Sequence, residues 1–278
     1  EWQTAFTIFY LREHCPAIGT LFTTHAPSIG RSIAGNGKPL YDYFRGYHGD
    51  QMAQELNMVS KHSAEKKAAQ YCDCFTTVSD ITALECEQLL DRKVDIVTPN
   101  GFEPDFVPKG AAFTKQRNQA RLALKTVAST ILNKTISKTD LFVCTAGRLE
   151  WKNKGIDAYL DSLHALDKQM EEKQCAKHIT AFVMIPYLDK NSYSLRHIDV
   201  VFIPYYLCGN DPLFKLTYYE LLIGMDLTVY PSYYEPWGYT PLESIAFHVP
   251  TITTNLSGFG QWANSKGVNK IECGVSVI

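Results

Sequence analysis

The sequence predicts an α/β fold in two domains, on three observations. Short runs of β-branched and aromatic residues alternate along the chain with longer stretches of helical periodicity, the pattern of strands and covering helices in a largely parallel sheet. The densest junction, YPSYYEPWGYTPLE at residues 230–243, packs aromatics, prolines, a glycine and two carboxylates into one strand-to-helix turn. A length of 278 residues with 45% hydrophobic content is enough for two well-packed cores of ordinary size.

In chain order, residues 1–14 have apolar positions at helical spacing, and GTLFTT (19–24) reads as a buried strand running into His25. Residues 51–71 read as one long helix, followed by a strand at 74–78 and a helix at 81–90 for which Ser79-Asp80 supplies the N-cap. A strand at 94–98 ends in Pro99-Asn100-Gly101. Charged residues across 109–138 suggest a solvated helical connection. LFVCTAG (141–147) opens the second domain as a strand, and an amphipathic helix follows at 155–166. Strands at 179–185 and 200–203, a helix at 216–224, a strand at 225–230 and a short helix at 241–247 complete the pattern. The expected domains are 1–105, a connection at 106–139, and 140–278.

Charge and cysteines narrow the function classes. With 27 basic against 29 acidic residues the net charge is −2, which favours neither nucleic acid nor an anionic membrane and points to a small molecule or neutral polymer. The apolar stretch at 2–11 is too short and too polar to span a bilayer and has no basic lead-in or small-residue cleavage site, so no export signal is read. The eight cysteines are scattered, several in apolar runs, as expected of reduced core thiols in a cytoplasmic protein. Cys72-Asp73-Cys74 has no companion pair at metal-ligand spacing, so no metal is expected. The triplets at Asn133 and Asn255 fit the glycosylation pattern, which arises by chance and is not used.

The turn at 230–243 is the strongest candidate site. In α/β proteins such a turn lies at the carboxyl end of the sheet, and the free N–H groups of the helix start, here those of Gly238, Tyr239 and Thr240, favour anions. Glu235 and Glu243 are eight residues apart. Along a helix that is about 12 Å, whereas glycosidase carboxylates stand roughly 5 to 10 Å apart. The spacing suits gripping the two ends of a long donor, with Glu235 at a sugar and Glu243 at a ribose. Arg148 and Lys154 follow a strand and precede an amphipathic helix, where two cations can neutralise a diphosphate; Lys152 between them reads as solvated.

YPSYYEPWGYTPLE with TITTNLSGFG (251–260) resembles the glycogen synthases of the eukaryotic type, whose retaining GT-B relatives share a Glu-x7-Glu signature. THAPSIGR (24–31), FTTVSDITALE (75–85) and Pro99-Asn100-Gly101 fall in the same family's order. The resemblance implies two Rossmann-like domains facing a cleft, with the amino-terminal one incomplete. It implies that His25 approaches the donor sugar and that Glu235, Arg148 and Lys154 complete the catalytic set. Donor binding would involve Arg31, Asn100, Trp237, Gly238, Tyr239, Thr240 and Glu243. Tyr218 corresponds to the aromatic that stacks on the base, although a core tyrosine reads nearly as well there. The element at 75–85 is chiefly structural. The chain departs from the family in starting midway through the amino-terminal domain, without the first strand, its glycine-rich loop and lysine. Between Arg196 and His197 a helix-like stretch runs straight into a strand where the family has a long helical excursion. The chain also stops before the segment that senses glucose 6-phosphate.

The expected activity is transfer of glucose from UDP-glucose, with ADP-glucose left open, to the non-reducing end of an α-1,4-glucan with retention, and no cofactor or metal is required. The expected partners are therefore a nucleotide-sugar donor and a glycogen-like acceptor, with no nucleic acid and no membrane; a homo-oligomer is allowed. One alternative is a catalytically silent glucan-binding or scaffolding module of the same fold. Another is a glucan phosphorylase, which would need a lysine-bound pyridoxal phosphate for which no motif is present.

Overall fold

A computed structural model describes residues 1–278. The chain forms two compact units: one comprises Glu1–Gly101, Tyr233–Gly238 and Asn255–Ser265, the other Phe102–Ser232, Tyr239–Thr254 and Lys266–Ile278.

The first unit is built on a three-stranded parallel sheet of order β1-β2-β3, from β1 (Leu21–Thr24), β2 (Cys74–Thr77) and β3 (Ile96–Val97). Its helices are α1 (Ala5–His14), α2 (Ser28–Gly35), α3 (Gly49–Glu55), α4 (Val59–Tyr71) and α5 (Asp80–Leu90). Phe22 and Phe75, on paired strands, stack at 5.9 Å and bury among Ala5, Ile8, Ala68 and Leu90. A second core gathers Ile29, Ile33, Met52, Leu89 and Tyr234. The single helix expected over 51–71 is two, because Asn57 takes the left-handed conformation (φ 55°) and ends α3 before α4 begins. The expected N-cap of α5 is present: Ser79 Oγ accepts the amide of Thr82 at 3.3 Å.

The second unit holds α6 (Ala111–Leu132), β4 (Leu141–Ala146), α7 (Ile156–Glu172), β5 (Ile179–Met184), β6 (Tyr193–Ser194), β7 (Ile198–Phe202), α8 (Tyr218–Leu222), β8 (Leu227–Tyr230), α9 (Tyr239–Ala246), β9 (Thr251–Thr253) and β10 (Val275–Val277). Its strands form one sheet of order β10-β9-β8-β4-β5-β7-β6, parallel except for β6. Because side chains alternate across a strand, Phe142, Cys144, Phe182 and Val201 enter one core, and Val143, Ala181, Val183 and Val200 the other. Both faces are covered, so these strands read as continuous apolar runs. The remaining helix, α10 (Gly258–Ser265), belongs to the first unit.

Two expectations are corrected here. The charged stretch around 109–138 is not a solvated linker: α6 buries Ala120, Leu124, Val127 and Ala128 in the second unit's core. Its charges dock it there, with Arg117 and Arg121 donating to Asp226 at 2.6 and 2.7 Å and to the carbonyls of Ile223 and Gly224. The helix-like stretch before His197 is a short antiparallel hairpin, β6 to β7, closed by the Leu195 amide on the Ile198 carbonyl at 2.7 Å.

Candidate active site

The sheet order of the second unit marks a candidate ligand position. From β4 the chain first builds outward through β5 and β7, then returns to place β8 on the other side of β4. Ligands of open α/β sheets sit outside the carboxyl ends of the strands at such a reversal. A cavity of about 250 Å³ lies at those ends, lined by Gly147 and Arg148 after β4, Met184 and Pro186 after β5, and Thr240 and Glu243 on α9. Tyr205, Tyr206 and Tyr218 supply aromatic wall.

Arg148 is 62% exposed, and its guanidinium is held by the Glu150 carboxylate at 2.8 Å, which also accepts from Asn153 Nδ2 at 3.1 Å. The stem of Lys154 runs along Gly147, its methylenes 3.7 Å from where a Cβ at that glycine would stand. Lys154 is followed by Gly155, whose φ of 61° suits glycine and whose missing Cβ would lie 1.9 Å from the Pro231 carbonyl oxygen. The loop between β4 and α7 is thereby pinned to the residue after β8, and both cations are fixed at the same sheet edge. Lys152, expected to be solvated, is more than half exposed and pairs with Asp157.

Glu243 Oε1 accepts the Tyr219 hydroxyl at 2.8 Å, and burial raises the carboxyl above its ordinary range. The Tyr219 phenol is in turn pushed up to about 12, by burial first and then by that bond. Tyr218 is both wall and core: its ring lines the cavity while its hydroxyl meets that of Tyr230 at 3.0 Å. Thr240 lies in the first turn of α9, where amides have no intrahelical partner. Tyr239 beside it is half exposed.

The other predicted residues lie in the first unit. His25 follows β1 and Asn100 comes after β3, so both are at the carboxyl end of that sheet. His25 Nδ1 is 3.3 Å from the Glu1 carboxylate. Arg31 on α2 lies over the Tyr234 ring, its guanidinium carbon 6.0 Å from the centroid. Glu235 pairs in a parallel bridge with Ser257, and its carbonyl accepts the Gly258 amide at 2.9 Å. Gly238 is buried with φ 110°. Trp237, read from the sequence as a donor ligand, is 5% exposed and its indole packs edge-on against Phe259 and Trp262. No group of three His, Cys, Asp or Glu side chains comes together as a metal site would require.

A family model described as "Glycogen synthase" matches residues 1–198 and 189–278, and so the whole chain. The chain belongs to the glycogen synthase family. Among curated relatives, Glycogen [starch] synthase of Dictyostelium discoideum is 27% identical over 96% of this chain and 42% of its own length. The human liver Glycogen [starch] synthase is 25% identical over 100% of this chain and 53% of its own. The chain therefore spans about half the length of the glycogen synthases it matches. The human alignment runs over 377 residues against 278 here, and the two matched pieces meet within 189–198, where this member turns from β6 into β7. Solved structures agree on a GT-B glycosyltransferase fold. WaaG, a glycosyltransferase of lipopolysaccharide biosynthesis, aligns over 99% of this chain and 67% of its own with a TM-score of 0.55 at 14% identity. The catalytic domain of Starch Synthase IV from Arabidopsis thaliana, bound to ADP and acarbose, gives 0.52 at 17% identity over 94% and 56%.

Sequence reasoning missed four residues that line this cavity or hold its side chains. Glu150 had a signal, being the one carboxylate in the cationic run RLEWKNK. Tyr205 and Tyr206 had one too, as aromatics just past a strand. Tyr219 had none, since its partner Glu243 is 24 residues away.

Proposed function

We propose that this chain carries the donor site of a retaining glucosyltransferase that moves glucose from a nucleotide sugar, UDP-glucose, to the non-reducing end of an α-1,4-glucan. The observation that carries the reading is the single cavity at the reversal of the seven-stranded sheet, shared by Arg148, Thr240 and Glu243. A nucleoside diphosphate offers a match for each: negative charge for Arg148, Lys154 and the amides at the start of α9, and ribose hydroxyls for the Glu243 carboxylate. Family membership supports the glucan acceptor and the glucose donor.

In this reading Arg148 and Lys154 stabilise the charge that grows on the leaving diphosphate, most strongly in the transition state, and so lower the barrier. Such cations do the work often given to a divalent metal, and the reaction as proposed needs none. Glu235, His25, Arg31 and Asn100 are assigned to the sugar end. Glu235 is the carboxylate that stabilises a sugar gaining positive character, and attack takes place on the face the diphosphate leaves, which takes up the acceptor proton. The protein is assigned to the cytoplasm, in keeping with its free cysteines. The full-length protein, given UDP-glucose or ADP-glucose labelled in the sugar and a glucan primer, should lengthen the primer with α-linked glucose from UDP-glucose. Absence of transfer from either donor would refute the reading.

A further inference from the structure

In the first unit a single helix face holds the backbone on both sides of Glu235. Ser79, Thr82 and Glu85 recur at helical spacing at the start and along one side of α5. Ser79 Oγ and Thr82 Oγ1 donate to the carbonyl of Pro236 at 2.6 and 3.3 Å. Glu85, fully buried, accepts the Tyr234 hydroxyl on Oε2 at 3.0 Å and the Tyr41 hydroxyl on Oε1 at 2.8 Å. The residues immediately before and after Glu235 are thus each tied to α5 by buried hydrogen bonds. Helix α2 closes on the same carboxylate. A Cβ at Gly30 would stand 2.5 Å from Glu85 Oε2, so only a residue without one lets α2 approach this closely.

We infer that Glu85 is a positioning residue for the transfer reaction, fixing Glu235 through Tyr234. A buried carboxylate accepting two phenols is an expensive way to fill a core, since apolar side chains of the same volume pack there at no desolvation cost. What it supplies in exchange is direction. Apolar contact with Ile29, Ile33 and Leu89 does not by itself fix the rotation of the Tyr234 ring, whereas a hydroxyl bonded to Glu85 Oε2 does. That rotation sets the course of the backbone into Glu235. Misplacing a reacting group by about 1 Å costs on the order of a hundredfold in rate.

The inference rests on reading Glu235 as the carboxylate at the sugar, and the test separates the two. In the full-length protein, Tyr234→Phe and Glu85→Ala should each lower kcat for glucosyl transfer about tenfold or more while donor KM changes less than about twofold. Combining them should cost no more than the worse single change, because both break the same Tyr234–Glu85 hydrogen bond. Glu85→Gln, which retains an acceptor for Tyr234, should recover most of the loss from Glu85→Ala. Thermal midpoints identify any variant that fails to fold, and Tyr234→Phe, which removes one oxygen, carries the test if Glu85→Ala does not. Normal turnover in Glu235→Gln would remove the site reading itself. A collapse of kcat in Glu235→Gln with wild-type kcat in Tyr234→Phe, or strictly additive losses in the double variant, would leave that reading standing and overturn the role of Glu85.

Discussion

At the scale of single residues, the cavity's charges make distinct predictions because they would meet different parts of a donor. Arg148→Ala or Lys154→Ala should lower glucosyl transfer at least about tenfold with little change in thermal midpoint, since one contact to developing phosphate charge is worth about 2–4 kcal/mol. Arg148 is largely exposed, and its partner Glu150 keeps the Asn153 amide as a donor, which holds the cost to folding down. Glu243→Gln should instead weaken binding of the free nucleoside diphosphate by roughly five- to tenfold in calorimetry, the difference between a charge-assisted hydrogen bond and the neutral one the amide keeps. Unchanged binding would remove Glu243 from the ribose. Arg148, Thr240 and Glu243 were legible in the sequence because each stands at a strand-to-helix junction, where chain direction alone brings it to the sheet's carboxyl edge. Glu85 was not, because its partner Tyr234 is 149 residues away and nothing local marks a buried carboxylate.

Among the elements, strands in the second unit were legible because burial on both faces makes them continuous apolar runs, as in β4 and β5. Errors fell where a local signal was outvoted by contacts elsewhere. The stretch 51–71 has helical composition throughout, yet one left-handed Asn57 divides it. Helix α6 looked solvated because its arginines were counted as surface charge, when Arg117 and Arg121 fold back onto Asp226 and the carbonyls around it. That docking makes Asp226 the anchor of a 22-residue helix, and its Oδ2 also accepts the Phe142 amide at 2.9 Å. Asp226→Ala should therefore take the shared carboxylate from two arginines and an amide, leaving the arginines only their carbonyl acceptors, and destabilise the protein by about 2 kcal/mol. The two pairs are partly open to solvent, which keeps the figure below that of a fully buried pair. A urea midpoint equal to wild type would show that α6 is held by its apolar face alone.

For the whole molecule, a net charge of −2 conceals a pH dependence set by a few buried groups. Burial raises Glu85 from its ordinary 4.5 to about 7, against the opposing pull of its tyrosine hydrogen bonds and of Arg31. Glu65 and Glu243 are raised in the same direction, also by burial first. A carboxyl whose pKa is higher in the folded state binds more protons there than when unfolded. Its contribution to stability is therefore complete below the ordinary carboxylate range and is lost as the pH climbs through the folded pKa, about 7 for Glu85. Buried His62 acts the other way: burial lowers its pKa, so the unfolded state binds more protons and stability gains as the pH rises. Wild-type stability alone sums these opposing slopes and cannot separate them. The difference between wild type and Glu85→Gln can, because the amide keeps the shape and does not titrate. Between pH 5 and 7.5 the stability of wild type relative to Glu85→Gln should fall by about 2.4 kcal/mol, the part of that shift's linkage that lies inside this window. Urea titrations at the two pH values measure it. Parallel stability curves for the two proteins would mean that Glu85 is ionised in the folded state across the whole range, with Arg31 and the two phenols outweighing its burial.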